Sequence, residues 1–249
     1  MRRVLRDNGL SITMFALFLV FLVAQSIAGY KATNSENEQH RQPPESYGEY
    51  LTSGAFVEAT FENWESEFLQ MGAYVVLTAL LIQRGSPESR KPDGDEVDAD
   101  PRDQRDAKDV PGPVKRGGLV LTLYEHSLSI ALLALFLLSF VLLALGGHAE
   151  FNQQQLEHGA VPVSLWSFVT GSAFWFQSLQ NWQSEFLAVA ALTVLSIFLR
   201  QRGSPESKPV AVPTPRPAAV ESSRDLGCRL DGLVRAVMSG AAMMWDADC

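Results

Sequence analysis

Cysteine is almost missing from this chain: two in 249 residues, Cys228 and Cys249, both near the C-terminus. That pair provides neither a disulfide framework nor a zinc-ligand spacing. Histidine is as sparse, and His40, His126, His148 and His158 include no pair at the i, i+4 spacing of a helical metal site. There is no glycine-rich phosphate loop, no nucleophile elbow and no nucleic-acid motif. These absences exclude the common catalytic constellations. They point to a chain that is not an enzyme and has no metal, no cofactor and no nucleic-acid partner.

Charge is also missing, and here the absence is local. Residues 10–30 and 127–147 are two uncharged runs of Leu, Phe, Ala, Val and Ile. Each has the roughly 20-residue length that a helix needs to cross a bilayer. Residues 64–82 and 182–199 are two shorter apolar runs that carry acid only near their starts. A soluble core would not explain the charge-free runs beside them, so four transmembrane helices are expected. MRRVLR followed by an apolar stretch has the look of a signal peptide. The run at 127–147 matches it in mid-chain, where no signal belongs, so a retained helix is expected.

Basic residues are nearly absent from two of the connections. Only Lys31 and Arg41 fall there, and the other 18 of 20 flank the remaining helix ends or lie in the linker and tail. Lys and Arg stay in the cytoplasm. Both termini are therefore expected inside, with two loops outside.

What is present is a repeat. QRGSPES occurs at 83–89 and at 201–207, 118 positions apart, each time after the motif NWxSEFL at 63–69 and 181–187. Sliding the chain by that offset aligns residues 10–89 with 128–207 without a gap. The expected organisation is a first membrane repeat at 1–89, a charged, disordered linker at 90–117, a second repeat at 118–207 and a tail at 208–249. The tail has helical spacing of Leu, Val and Met over 225–240, a candidate amphipathic helix. Two helices per unit return the chain to its starting side, so the units should be parallel repeats.

The segments 46–62 and 164–180 are rich in aromatic residues and read as amphipathic helices in the outer interface. After them, Asn63 and Asn181 suit helix N-caps, and Trp64 and Trp182 suit interfacial anchors. Arg84 with Gly85, and Arg202 with Gly203, suit helix stops, since Arg opposes the negative helix end and Gly takes the left-handed C′ conformation. Glu67 and Glu185 stand at equivalent positions at the edge of the apolar runs, a candidate polar membrane site for a cation or proton. The helix dipole and snorkelling to headgroups are the plainer account of both. Glu58, Glu62 and Glu65 receive less weight, because their counterparts Phe176, Gln180 and Gln183 carry no charge.

The paired NWxSEFL and QRGSPES strings, with YGEYLTSGAF at 47–56 and SLWSF at 164–168, resemble the bacterial membrane-protein family catalogued as domain of unknown function 6766. The resemblance covers roughly residues 1–210. It implies a bacterial origin and a membrane location, and it supplies no catalytic residues; with the basic residues placed as above, the bacterial inner membrane is the expected location. The expected fold is all-α. The expected role is structural or accessory in the lipid bilayer, with a homo-oligomer or another membrane protein as partner. The alternative is a small transporter or ion-conducting protein that uses Glu67 and Glu185.

Overall fold

The computed structural model describes residues 6–83, 86–89, 100–105, 107 and 109–211. Among them the regular structure is helical throughout. The elements are α1 (Gly9–Gln39), α2 (Tyr47–Tyr50), α3 (Gly54–Leu80), α4 (Gly112–Arg116), α5 (Gly118–Glu125), α6 (Ser127–Glu157), α7 (Leu165–Val169) and α8 (Ser172–Phe198). The helix stops Arg84 and Gly85, residues 90–99 of the linker and the candidate tail helix at 225–240 lie outside the described residues. Within the linker, Gly112–Arg116 is helical, with Pro113 in its first turn and Val114 buried.

α1 and α6 each have 31 residues, and α3 and α8 each have 27. Leu and Ala favour the helix, and no proline interrupts any of the four. At 1.5 Å per residue the longer pair reaches about 46 Å, well beyond the ~30 Å hydrocarbon core. The surplus is the polar last third of α1 and α6. α1, α6 and α8 are long and apolar enough to cross a membrane. α3 is as long as α8 but carries Glu58, Glu62, Glu65 and Glu67.

The matching positions adopt matching local structure. α1 ends at His40 and α6 at His158. The next residue is left-handed in both, Arg41 at φ 59° and Gly159 at φ 70°. Gln42 N–H then donates to the Asn37 carbonyl at 2.7 Å, as Ala160 N–H does to Gln155. These are Schellman ends. Glycine adopts that conformation without cost, whereas Arg41 pays roughly 1–2 kcal/mol for its Cβ.

One asparagine then ties down each return loop. Asn34 donates to the Glu45 carbonyl at 3.2 Å and accepts from Glu45 N–H at 2.8 Å. Asn152 does the same with Val163, at 3.0 and 2.8 Å. Ser46 and Ser164 cap the short helices that follow, accepting from Glu49 N–H and Ser167 N–H. Asn152→Ala removes two of the three bonds to the backbone of Val163, leaving the one between its carbonyl and His148 Nε2 at 2.9 Å. It should cost about 1–3 kcal/mol, read as a lower Tm in detergent, while Asn152→Asp should retain the acceptor half.

The helices and return loops form one unit, the described residues of 1–80 and 96–191. Its closest helix pairing is α3 on α6. Glycines make that approach possible. A Cβ on Gly146 would lie 2.6 Å from Val57 Cγ1 and 2.9 Å from Glu58 N. One on Gly54 would lie 2.7 Å from Glu150 N. Small residues let the two backbones approach this closely. Leu143, Ala144, Phe168 and Phe174 form the buried core beside this seam.

The long helices begin earlier than the sequence suggests. Ser53 is the cap of α3, its Oγ accepting from Phe56 N–H at 3.3 Å. No breaker separates residues 54–62 from the apolar run, so the segment continues straight into the helix. Asn63 and Asn181 are therefore mid-helix residues rather than N-caps. Asn63 instead donates to the Ala59 carbonyl one turn back, at 3.3 Å. The aromatic segments divide: Tyr50, Phe168 and Phe174 are buried, while Trp166 and Phe176 remain exposed.

The second unit holds the described residues of 81–95 and 192–249. Here each QRGSPES string closes on itself. Gln83 N–H donates to Ser89 Oγ at 2.9 Å, and that hydroxyl donates to the Gln83 carbonyl at 2.8 Å. Gln201 and Ser207 repeat the arrangement at 2.9 and 3.3 Å. Because α8 ends at Phe198, Arg202 and Gly203 do not terminate it. Gly203, at φ 84°, serves the turn inside the heptapeptide loop instead. The two loops meet through equivalent acids. A hydrogen bond from Glu88, then its charge, raises the Glu206 carboxyl above the ordinary carboxylate range.

Candidate functional site: a carboxylate ladder between α3 and α8

Glu58, Glu62 and Glu65 follow one another at i, i+4 and i+7 along α3, which places them on one helical face. Opposite them, α8 presents Gln177, Asn181 and Trp182. Gln177 Nε2 donates to Glu58 Oε1 at 3.0 Å and to Glu62 Oε2 at 2.7 Å. Asn181 Nδ2 donates to Glu62 Oε1 at 2.7 Å. Trp182 Nε1 donates to both oxygens of Glu65 at 2.9 Å. Glu65 is 0 % exposed.

Every donor in this ladder is neutral. Among the described residues no Lys or Arg forms an ion pair with Glu58, Glu62 or Glu65; the ion pair there is Arg6 with Asp7, at 3.0 Å. Three carboxylates in one half-buried column, without a compensating cation, strongly attract positive charge. Among the described residues no group of three His, Cys, Asp or Glu side chains is placed to hold a metal ion. Thr60 and Ser178, at equivalent positions of the same two helices, bury hydroxyls that have no hydrogen-bond partner.

Trp182 is held for this task by its rings. Its centroid lies 6.2 Å from Trp175 and 6.5 Å from Phe136, both edge-on. Its counterpart Trp64 packs on Phe61 at 5.0 Å and Phe18 at 5.6 Å. Both tryptophans are half-buried and turned toward neighbouring helices, where interfacial anchors were expected. The indole N–H of Trp182 has a carboxylate to meet, and the position opposite offers only Gln183 in the other half.

Glu67 and Glu185 lie outside the ladder. Glu67 is exposed and Glu185 half-buried, and neither makes a hydrogen bond among the described residues. They lie near enough for the like charge of Glu185 to act on Glu67, an unfavourable interaction. His40 and His158 also meet, with ring centroids 6.2 Å apart. In this unit, equivalent residues of the two halves thus lie beside each other at two levels.

The ladder was undervalued by comparing the halves position by position. Glu62 pairs with Asn181 and Gln177 rather than with its own counterpart Gln180, so the lack of charge at that counterpart says nothing about the pairing. The signal that would have found it is the i, i+4, i+7 spacing itself. No curated protein and no solved structure matches the chain. Over residues 1–218 the chain matches the family model described as Domain of unknown function (DUF6766), and it belongs to that family.

Proposed function

We propose that this is a bacterial inner-membrane protein of four spans, built as two tandem two-helix repeats, which takes up protons from the outer side through the Glu58–Glu62–Glu65 ladder. It acts by binding and moving charge, not by catalysing a reaction. The observation that carries this reading is Glu65: a completely buried carboxyl with only an indole N–H as partner. Such a group is expensive in a membrane protein and marks a charge pathway.

Three observations support the architecture. α1 and α6 start at residues 9 and 127 and α3 and α8 at 54 and 172, the same offset as the repeated motifs. α3 matches α8 in length, and its acids cluster in its first half, leaving the run from Phe68 to Leu80 uncharged, with Gln70 and Thr78 its polar residues. Eighteen of 20 basic residues fall on the side that holds both termini under this topology.

Proteoliposomes with an internal pH dye and an imposed proton gradient test the proposal, with Na⁺ and K⁺ gradients run alongside. Wild type should dissipate the proton gradient faster than empty vesicles, and Glu65→Gln should lose about tenfold or more of that rate, as removal of an essential proton carrier does. The Glu67→Gln/Glu185→Gln double variant separates the two acid sets. If it abolishes flux and Glu65→Gln does not, Glu67 and Glu185 are the pathway. A second reading is a structural or accessory protein in which the ladder only binds α3 to α8. It is favoured by the donors that satisfy all four oxygens of Glu62 and Glu65. Wild type indistinguishable from empty vesicles in every gradient would establish it.

A further inference from the structure

A cavity of about 100 Å³ opens beside the ladder, where α3, α6, α7 and α8 converge. Its lining includes Glu58, Glu150, Phe151, Phe168, Phe174 and Gln177. Two carboxylates from different helices thus share a small space with three phenyl rings. The rings form a connected wall: Phe168 lies 5.4 Å from Phe151 and 5.5 Å from Phe174, centroid to centroid. Glycine keeps that space open. A Cβ on Gly147 would lie 3.1 Å from Phe168 Cζ and 3.4 Å from Glu58 Oε1.

We infer that this cavity is a binding site for a small organic cation of the alkylammonium class. The chemistry of the lining selects it. A divalent metal requires about six oxygen ligands, and two carboxylates with three phenyl faces do not provide them. An alkylammonium uses both features, with its charge against the carboxylates and its methyl groups against the negative ring faces. Size agrees as well. A cavity of about 150 Å³ holds benzene, so one of this volume suits an ion of roughly four or five heavy atoms. Among the described residues no Lys or Arg forms an ion pair with Glu58 or Glu150, so the negative charge of the cavity is not already neutralised by one. Glu150 accepts instead from Gln154 Nε2 at 3.1 Å.

The site shares Glu58 and Gln177 with the ladder, but ligand binding here does not depend on proton movement. The experiment is calorimetric titration of the full chain in detergent with tetramethylammonium and methylammonium, at constant ionic strength. Neutral tert-butanol of similar shape and Na⁺ are the controls. Tetramethylammonium should bind, and both controls should fail. Glu150→Gln and Phe151→Leu should each weaken it about tenfold, the loss of one charge or one ring face, with Tm confirming that the variants are folded. If Phe151→Leu is unstable, Glu150→Gln with the tert-butanol control suffices. No heat with either ammonium ion, equal binding of tert-butanol, or unchanged affinity in folded Glu150→Gln would each overturn the assignment. Because neither Glu150 nor Phe151 belongs to the ladder, loss of proton flux in Glu65→Gln would stand whatever the titration shows.

Discussion

Gly146→Leu should leave little folded protein. The position is where the backbones of α3 and α6 touch, and a Cβ there would fall 2.6 Å from Val57 Cγ1, 2.8 Å from Val57 Cβ and 2.9 Å from Glu58 N. Val57 is β-branched and stiff at χ1, and the third neighbour is main chain, so neither can retreat. The helices would have to separate, and with them Leu143 and Ala144 would lose their cover. Overpacking costs about 1–3 kcal/mol where neighbours can shift, and more where they cannot. A drop of about 3 kcal/mol or more is expected, read as a large fall in Tm or as aggregated protein in size-exclusion chromatography. Gly48 is the control, because a Cβ there meets nothing within 4 Å. Gly48→Ala should lie within about 0.5 kcal/mol of wild type. A Gly146→Leu protein with unchanged Tm would mean that α3 and α6 do not pack through these glycines.

The second large effect is expected at Trp182. Phenylalanine would retain edge-on packing against Phe136 and Trp175 but remove the indole N–H. Glu65 would then be fully buried with no hydrogen-bond donor. A hydrogen bond to a charged group contributes about 1.5–3 kcal/mol, and an orphaned buried carboxyl costs as much or more. Trp182→Phe should therefore destabilise by about 2–3 kcal/mol. The double variant Trp182→Phe/Glu65→Leu should recover most of that loss, since it removes the stranded group along with its donor. Such recovery would separate the hydrogen bond from simple packing. Trp64→Phe provides the contrast: its indole N–H makes no hydrogen bond among the described residues, and only ring contacts are altered. Equal losses at Trp64 and Trp182 would show that ring size, not the carboxylate, governs stability here.

Where both predictions hold, positions that correspond at the 118-residue offset differ along physically separable lines. Gly54 and Gly146 draw α3 onto α6, whereas their counterparts Ser172 and Ala28 lack that pairing of bare backbones. The acids are likewise confined to α3 and their amide partners to α8. The correspondence at that offset holds where geometry is local, in the Schellman ends, the asparagine clamps and the serine caps. It fails where α3 faces α6 and α8.

Much of the fold was readable because its determinants lie close along the chain. Uncharged runs of about 20 residues specify helices of membrane length wherever they occur. The QRGSPES and NWxSEFL strings set the register, and the helix bounds of the two halves follow it. Helix starts were misjudged at Asn63 and Asn181. A residue well suited to capping is present at each, but a helix begins where its backbone first closes, and Ser53 or Ser172 lies roughly two and a half to three turns earlier. Nothing between them breaks the helix.

The site was a different matter. Residue type and spacing place Glu65 and Glu67 on one helix and Glu58 and Glu62 in the segment before it, and do not show which of the four faces another helix. A rotation of about 100° per residue separates neighbours, so Glu65 is buried while Glu67, two positions on, is exposed. That choice depends on how α3 is turned against α6 and α8, and the glycine seam sets the turn. The sequence alone determined the helices, their register and where charge is scarce. Only the tertiary structure decided which carboxylates lost water and found Trp182 instead, because desolvation belongs to packed neighbours more than 100 positions away, and no local pattern encodes it.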